Sequence, residues 1–129
     1  MRRYAARPTV YKGIQMRSRL EARYAAVLDA HGADWTYEPR AYANSRGQYL
    51  PDFELPAIEA GETYPALPKL FIEVRPTLEL GMLALEQMTV IWDSEPEASL
   101  MVTMPGVPIW FFAGGRTRKW TLSQVKPWS

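Results

Sequence analysis

Asp52, Glu73 and Arg75 are the residues whose types and spacing are best suited to chemistry. Glu73 and Arg75 lie in "KLFIEVR", residues 69–75, and Asp52 lies in "LPDFELP", residues 50–56. Alternate residues of a β-strand point to the same side, so Glu73 and Arg75 share a face with side chains roughly 7 Å apart. If the segment around Asp52 pairs beside this strand, the Asp52 carboxylate approaches that of Glu73.

Two carboxylates brought together in this way indicate a cation site. They repel each other, and one of them protonates unless a cation neutralises both. Oxygen ligands select hard cations such as Mg²⁺, which binds through one or two carboxylates, keeps several waters and takes further ligands from a substrate phosphate. The three charged residues therefore predict metal-assisted attack on a phosphodiester.

The elements that must position these residues are two strand-like segments. Residues 69–75 form the clearest strand, with Leu70, Ile72 and Val74 on the core face. Pro51 interrupts the segment before Asp52, which indicates an edge strand, a bulge or the first residue of a strand. Residues 56–68 contain three prolines and a glycine, and they predict a loop.

The rest of the chain predicts two helices and further strands. The first helix covers Arg19 to His31, with Ser18 as its N-cap and Gly32 beyond its C-terminus. The other predicted elements are a strand at 34–39, a turn at 44–48, a helix at 78–92 capped by Thr77, and strands at 99–104, 107–115 and 118–125. This order predicts an α/β fold with one mixed central β-sheet flanked by α-helices.

Composition limits the classes of protein and of site. The chain has 129 residues, enough for one domain over residues 1–129, with 47% hydrophobic and 22% charged residues. It contains no cysteine, which excludes disulfides, thiolate nucleophiles and cysteine zinc sites. The single histidine, His31, excludes histidine zinc sites. No apolar run is long enough for a bilayer and no signal peptide begins the chain, so we expect a cytoplasmic protein.

The net charge of +1 conceals basic flanks around an acidic centre. Such flanks are suited to holding the phosphates of DNA, although charged termini also occur for solubility alone. The basic residues predicted to contact nucleic acid are Lys12, Arg17, Arg19, Arg116, Arg118 and Lys119. Tyr4, Tyr11 and Trp120 lie among basic residues and are candidates for stacking on bases.

Three segments in order carry a family resemblance: "SRLEARYAAVLDAHGADWTYEP", "YLPDFELP" and "LFIEVRP". They resemble the PD-(D/E)XK nuclease superfamily, whose members share a restriction-endonuclease-like core, and in particular its small phage and bacterial members. The likeness covers roughly residues 11 to 92. It implies a Mg²⁺-dependent DNA endonuclease that hydrolyses phosphodiester bonds by a metal-activated water, with Mn²⁺ as a substitute ion and a homodimer as one way to cut both strands.

The resemblance also implies roles for individual residues. Asp52 is the central metal ligand, Glu73 is the second carboxylate ligand, and the backbone carbonyl of Val74 is the third. Glu21 matches the helix glutamate that, in the superfamily, holds a metal-bound water or a second ion. Together with Arg75, the acids Glu21, Asp52 and Glu73 form the predicted catalytic set.

Arg75 departs from the family pattern, which has lysine at this position. Both side chains can stabilise charge on a phosphate, but arginine stays protonated and cannot act as a base. Three outcomes follow: an active nuclease with a substituted cation, a slow nuclease, or a catalytically inactive relative that binds DNA or another partner.

Each acid of the predicted site also has a purely structural interpretation. Ser18 and Glu21 have the spacing of a capping box at a helix N-terminus. Asp52, after Pro51, has the position of a turn residue. Glu73 and Arg75 could form an ion pair on an exposed sheet face, where such pairs contribute little stability.

Overall fold

Ten β-strands and two α-helices make up the described part of the chain in the computed structural model, which covers residues 7–63, 65–112, 114 and 120–122. The strands are β1 Thr9–Tyr11, β2 Ile14–Met16, β3 Thr36–Tyr37, β4 Tyr42–Asn44, β5 Gly47–Tyr49, β6 Phe53–Leu55, β7 Leu70–Val74, β8 Ser99–Met104, β9 Val107–Phe112 and β10 Trp120–Leu122. The helices are α1 Arg19–Ala30 and α2 Leu78–Gln87, and α2 is followed by a 3-10 helix, Met88–Asp93. The prediction of a mixed α/β fold is confirmed.

The chain divides into two compact units, Met1–Asp34 and Trp35–Ser129. In the first unit, β1 and β2 form an antiparallel hairpin that the sequence analysis did not predict. Its turn residues, Lys12 and Gly13, have φ values of 47° and 79°, the left-handed backbone that suits the twist of a two-residue hairpin loop.

Helix α1 of the first unit agrees with the prediction at both ends. The Ser18 side chain accepts a hydrogen bond from the backbone N–H of Glu21, as an N-cap does. His31 is the C-cap, and Gly32 follows with φ 69°. Its buried side chains include Leu20, Tyr24 and Leu28, which recur at the helical period.

The second unit is built on a six-stranded sheet with the order β10-β9-β8-β7-β6-β3. Strands β7 and β8 are parallel, and the other neighbouring pairs are antiparallel. Helix α2 makes the crossover between the two parallel strands, a connection that a short hairpin turn could not make. The predicted last strand is confirmed over the three residues of β10.

Strand β7 is buried on both faces, whereas the sequence assigned only one of its faces to the core. Ile72 and Val74 are buried as predicted and Leu70 is only half-buried, whereas Phe71 on the opposite face is fully buried. Phe71 belongs to a cluster with side chains of α2, the 3-10 helix and β8. Because Glu73 lies on the same face as Phe71, it enters a sheltered environment rather than water.

The helical segment after Thr77 and the β4–β5 hairpin cover the face of the sheet that carries Phe71. The predicted helix at 78–92 changes type after Gln87, where the 3-10 helix begins. The predicted turn at 44–48 joins β4 to β5, and this hairpin pairs Tyr42 with Tyr49. The Tyr42 ring packs edge-on against Phe71, with centroids 5.4 Å apart. Within the described residues, no helix has the length and apolar character needed to cross a membrane.

Candidate metal and phosphate site

The ladder between β6 and β7 ends at the point where Asp52 and Glu73 face each other. Phe53 pairs with Ile72, so the next opposed positions are Asp52 and Glu73. There the side chains replace the backbone ladder: the Asp52 N–H donates to Glu73 Oε1 at 2.9 Å, and the Val74 N–H donates to Asp52 Oδ2 at 2.8 Å. Each carboxylate is therefore fixed by the backbone of the opposite strand.

Both carboxylates are completely buried. Asp52 and Glu73 are each 0% exposed, and acidic side chains are almost never buried to this extent unless they are paired. The interpretation of Glu73 as half of an exposed surface ion pair is therefore wrong. The close approach of the two acids is the predicted arrangement.

Arg75 supplies the positive charge. Its Nη1 lies 3.2 Å from Asp52 Oδ2 and 3.1 Å from the Val74 carbonyl oxygen, and it forms an ion pair with Glu73 Oε2. These are the three oxygen groups that the family resemblance assigns to a metal ion. One guanidinium nitrogen thus occupies the position that the resemblance assigns to the metal ion. Because two buried carboxylates face one guanidinium, the site has a formal net charge of −1.

Tyr49 is a member of the site that the sequence analysis missed. Its hydroxyl accepts a hydrogen bond from Arg75 Nη2 at 3.2 Å. Burial, followed by the negative charge of Glu73, raises the pKa of Tyr49 far above its usual range, so the hydroxyl is neutral at physiological pH. A buried tyrosine hydroxyl needs a polar partner, and this rule was the signal that could have pointed to Tyr49. The sequence does not name the partner, because the contact forms only when the β4–β5 hairpin packs on the sheet.

Pro76 explains the orientation of Arg75. A proline restricts the residue before it to extended backbone, which keeps Arg75 in line with strand β7 beyond its last residue. The Arg75 N–H continues the parallel ladder by donating to the Thr103 carbonyl at 3.1 Å. The alternation of the strand then places the guanidinium on the same face as Glu73.

The backbone of Asp52 is held from its other side by Glu38. The Glu38 N–H donates to the Asp52 carbonyl at 2.8 Å, next to the ladder between β3 and β6. Glu38 has φ 45°, a left-handed conformation that is uncommon outside glycine and asparagine. Asp52 thus lies between two strands rather than in a simple turn.

The donor set fits a hard divalent cation. Two carboxylates and a backbone carbonyl are ligands that Mg²⁺ or Mn²⁺ accepts, with the remaining positions left for water and phosphate oxygens. Within the residues that the structure describes, no group of three or more histidine, cysteine, aspartate or glutamate side chains is placed to hold a metal ion. The residues brought together are Asp52, Glu73 and Val74, all in the second unit.

Glu21 lies in the first unit and is described there. Its carboxylate is 3.2 Å from Arg17 Nη2, and its Oε1 accepts from the Ser18 hydroxyl at 3.3 Å. The predicted cap at the start of α1 is confirmed, because the Glu21 N–H donates to the Ser18 hydroxyl at 3.1 Å. The role of Glu21 as a ligand of a metal or of its water stays a prediction.

The predicted nucleic-acid contacts are only partly covered by the structure. Arg19 is exposed, whereas Lys12 forms an ion pair with Asp29 at 2.8 Å and Arg17 pairs with Glu21. Arg116, Arg118 and Lys119 lie outside the described residues. Arg19 is therefore the exposed candidate in the described part for which no ion pair is recorded.

Comparison of this chain with protein-family models, with curated proteins and with solved structures finds no match. What supports a function is consequently the arrangement around Asp52, Glu73 and Arg75.

Proposed function

We propose that the protein is a Mg²⁺- or Mn²⁺-dependent DNA endonuclease with a restriction-endonuclease-like arrangement of its sheet and helices. The observation that carries this proposal is the convergence of three oxygen groups on one cationic nitrogen at the end of β7. Asp52 and Glu73 contribute side chains and Val74 its backbone carbonyl. Such a set binds a hard cation and leaves room for a phosphate.

The position of the site in the fold supports a ligand-binding role. Asp52 and Glu73 lie at the carboxyl end of β7, where this strand and the parallel strand β8 both end near the start of α2. In open α/β sheets, ligands bind in the crevice outside the carboxyl ends of parallel strands, and β7 and β8 are the parallel pair of this sheet. The Thr77 side chain caps α2 within two residues of Arg75, so the N-terminus of this helix begins beside the site.

Each residue of the site has a distinct task in the proposed reaction. Asp52, Glu73 and the Val74 carbonyl would hold the divalent ion, which would supply positive charge for the phosphate oxygens and lower the pKa of an attacking water. Arg75 cannot accept a proton, so its task is to pair with the charge of the phosphate. Before the ion binds, the Tyr49 hydroxyl holds Arg75 in place.

Cleavage of supercoiled plasmid DNA with Mg²⁺ or Mn²⁺ tests the proposal. We expect nicking by the unmodified protein and background rates for Asp52→Asn and Glu73→Gln, which keep side-chain size but remove the charge that holds the ion. Glu54→Gln, on β6 two residues from Asp52, is the matched control and should cleave normally. Nicking that survives in both site variants would remove the assignment, and direct linearisation of the plasmid would favour a homodimer.

One observation favours a second candidate, a nuclease-fold protein that binds DNA or another partner without cleaving it. Arg75 already neutralises part of the charge of Asp52 and Glu73, as a cation kept for structure would. This candidate predicts DNA binding that persists in EDTA and no nicking with either ion. Arg75→Lys restores the residue usual in the superfamily, and a marked gain in cleavage would mean that the arginine slows an enzyme rather than replaces its metal.

A further inference from the structure

Arg75 and a divalent ion require the same oxygen atoms. The guanidinium Nη1 contacts Asp52 Oδ2, Glu73 Oε2 and the Val74 carbonyl, so a metal ion held by these groups has no place while Arg75 is there. Two cations at this separation would also repel strongly in a buried site. The ion can therefore bind only after the guanidinium has left.

The charges indicate where the displaced guanidinium goes. A divalent ion alone balances the charges of Asp52 and Glu73, so the displaced Arg75 becomes a positive charge without its carboxylate partners. A phosphodiester carries one negative charge and accepts bidentate hydrogen bonds from a guanidinium. The Arg75 side chain is 23% exposed, whereas those of Asp52 and Glu73 are 0% exposed, so of these three side chains only that of Arg75 reaches the surface.

We propose, on the basis of the function proposed above, that Arg75 is a resident counter-cation that a divalent metal ion must displace, and that a nucleic-acid phosphate receives the displaced guanidinium. Metal binding and nucleic-acid binding then strengthen each other. Without nucleic acid, the metal competes with an ion pair already in place and binds weakly. With a phosphate at the site, that competition is relieved, and by linkage the metal tightens DNA binding by the same factor.

Mn²⁺ binding measured by electron paramagnetic resonance in the absence of DNA is the first test. We expect Arg75→Gln to bind Mn²⁺ more tightly than the unmodified protein, by a factor within the roughly 5- to 150-fold range typical of coupling between sites. Adding Asp52→Asn to Arg75→Gln should abolish the gain. Equal Mn²⁺ affinity in Arg75→Gln and the unmodified protein would overturn the proposal.

A milder pair of variants covers the case in which Arg75→Gln does not fold. Tyr49→Phe removes the hydroxyl that holds Arg75 Nη2 and keeps the ring, so it should raise Mn²⁺ affinity by a smaller factor. Tyr42→Phe is the matched control, because Tyr42 pairs with Tyr49 across the hairpin but its hydroxyl donates to Glu95. A gain in Tyr42→Phe equal to that in Tyr49→Phe would contradict the role of Arg75.

The unmodified protein supplies the second test. A short DNA duplex should tighten Mn²⁺ binding, and a duplex with neutral methylphosphonate linkages should not, because it offers no charge to Arg75. Unchanged Mn²⁺ affinity with the charged duplex would overturn the transfer of Arg75 to phosphate. Tight Mn²⁺ binding by Arg75→Gln, together with no cleavage by the unmodified protein, would instead reject the endonuclease function while leaving the displacement of Arg75 supported.

Discussion

Two polar clusters beside the same hairpin have nearly the same composition and opposite degrees of burial. Tyr49 lies beside Asp52, Glu73 and Arg75, the site cluster. Its cross-strand neighbour Tyr42 lies beside a second cluster, the outer cluster, formed with Lys69, Glu54 and Glu95. Each cluster contains one tyrosine and two carboxylates, with one cation in the site cluster and two in the outer cluster, where Arg40 lies over the Tyr42 ring at 4.4 Å from its centroid.

Exposure separates the two clusters. In the site cluster both carboxylates are 0% exposed, whereas the outer carboxylates of Glu54 and Glu95 are 20% and 23% exposed, and Lys69 is 34% exposed. Water can therefore solvate every charge of the outer cluster if a partner is lost. In the site cluster the protein itself must supply the counter-charge, so only the site cluster has the buried, unsolvated charge on which the proposed exchange of Arg75 for a metal ion rests.

Replacing Arg75 in the site cluster and Lys69 in the outer cluster should give the largest difference in stability between the two clusters. In metal-free buffer, Arg75→Gln leaves two buried carboxylates without their guanidinium and should lower the free energy of unfolding by about 3–5 kcal/mol. Lys69→Gln, the matched change in the outer cluster, should cost about 1 kcal/mol or less because its partners are hydrated. Urea unfolding measures both values. Mn²⁺ should restore much of the loss in Arg75→Gln only, and equal losses in the two variants would contradict the comparison.

The sequence was sufficient for the parts of the site cluster that depend on strand alternation. Strand alternation placed Glu73 and Arg75 on one face, and the approach of Asp52 was predicted on the condition that its segment pairs beside that strand, as β6 does. Tyr49 was not predictable in this way, because its approach to Arg75 requires the β4–β5 hairpin to dock on the sheet, a contact that no local pattern specifies.

The errors in the fold have equally physical causes. The β1–β2 hairpin was missed because its turn is Lys12-Gly13 rather than an Asn-Gly or Asp-Gly pair, although Gly13 was a usable signal. A single helix was predicted over residues 78–92, whereas α2 ends at Gln87 and a 3-10 helix follows. The prediction ran too far because the apolar pattern does not distinguish an α-helix from a tighter 3-10 helix.

Removing the two tyrosine hydroxyls should give an intermediate effect. Tyr42 donates to the carboxylate of Glu95, and hydrogen bonds to charged groups contribute about 1.5–3 kcal/mol. Tyr42→Phe should therefore lower stability by an amount in that range, measured by thermal or urea unfolding. Tyr49→Phe should cost a similar amount without metal but less when Mn²⁺ is bound, because Arg75 has then left. A cost for Tyr49→Phe that is independent of Mn²⁺ would argue against this difference between the clusters.

The pH dependence of the outer cluster gives the smallest expected effect. Burial tends to raise the pKa of Glu95, but hydrogen bonds from Lys69 and Tyr42 outweigh it, and the pKa lies below its ordinary value of 4.5. Since the folded-state pKa is depressed, the stabilisation by Glu95 is fully present above pH 4.5 and is lost as the pH falls through the folded-state pKa. The Glu95 hydrogen bond, above all, raises the pKa of Lys69 over 10.5, so the contribution of Lys69 is lost only as the pH rises through that higher value.

The difference in unfolding free energy between the unmodified protein and Lys69→Gln reports the pairing of Lys69 with Glu95 at 2.8 Å and with Glu54 at 3.6 Å, because the remaining carboxylates titrate in both proteins. We expect the difference to be constant at neutral pH and to shrink in acid once Glu95 protonates. Glu97→Gln, an exposed acid two residues further along, is a control whose difference from the unmodified protein should not follow this profile. If the Lys69→Gln difference is the same in acid as at neutral pH, the Glu95–Lys69 pair contributes nothing to the free energy of unfolding. Stability would then depend on charge pairing in the site cluster only.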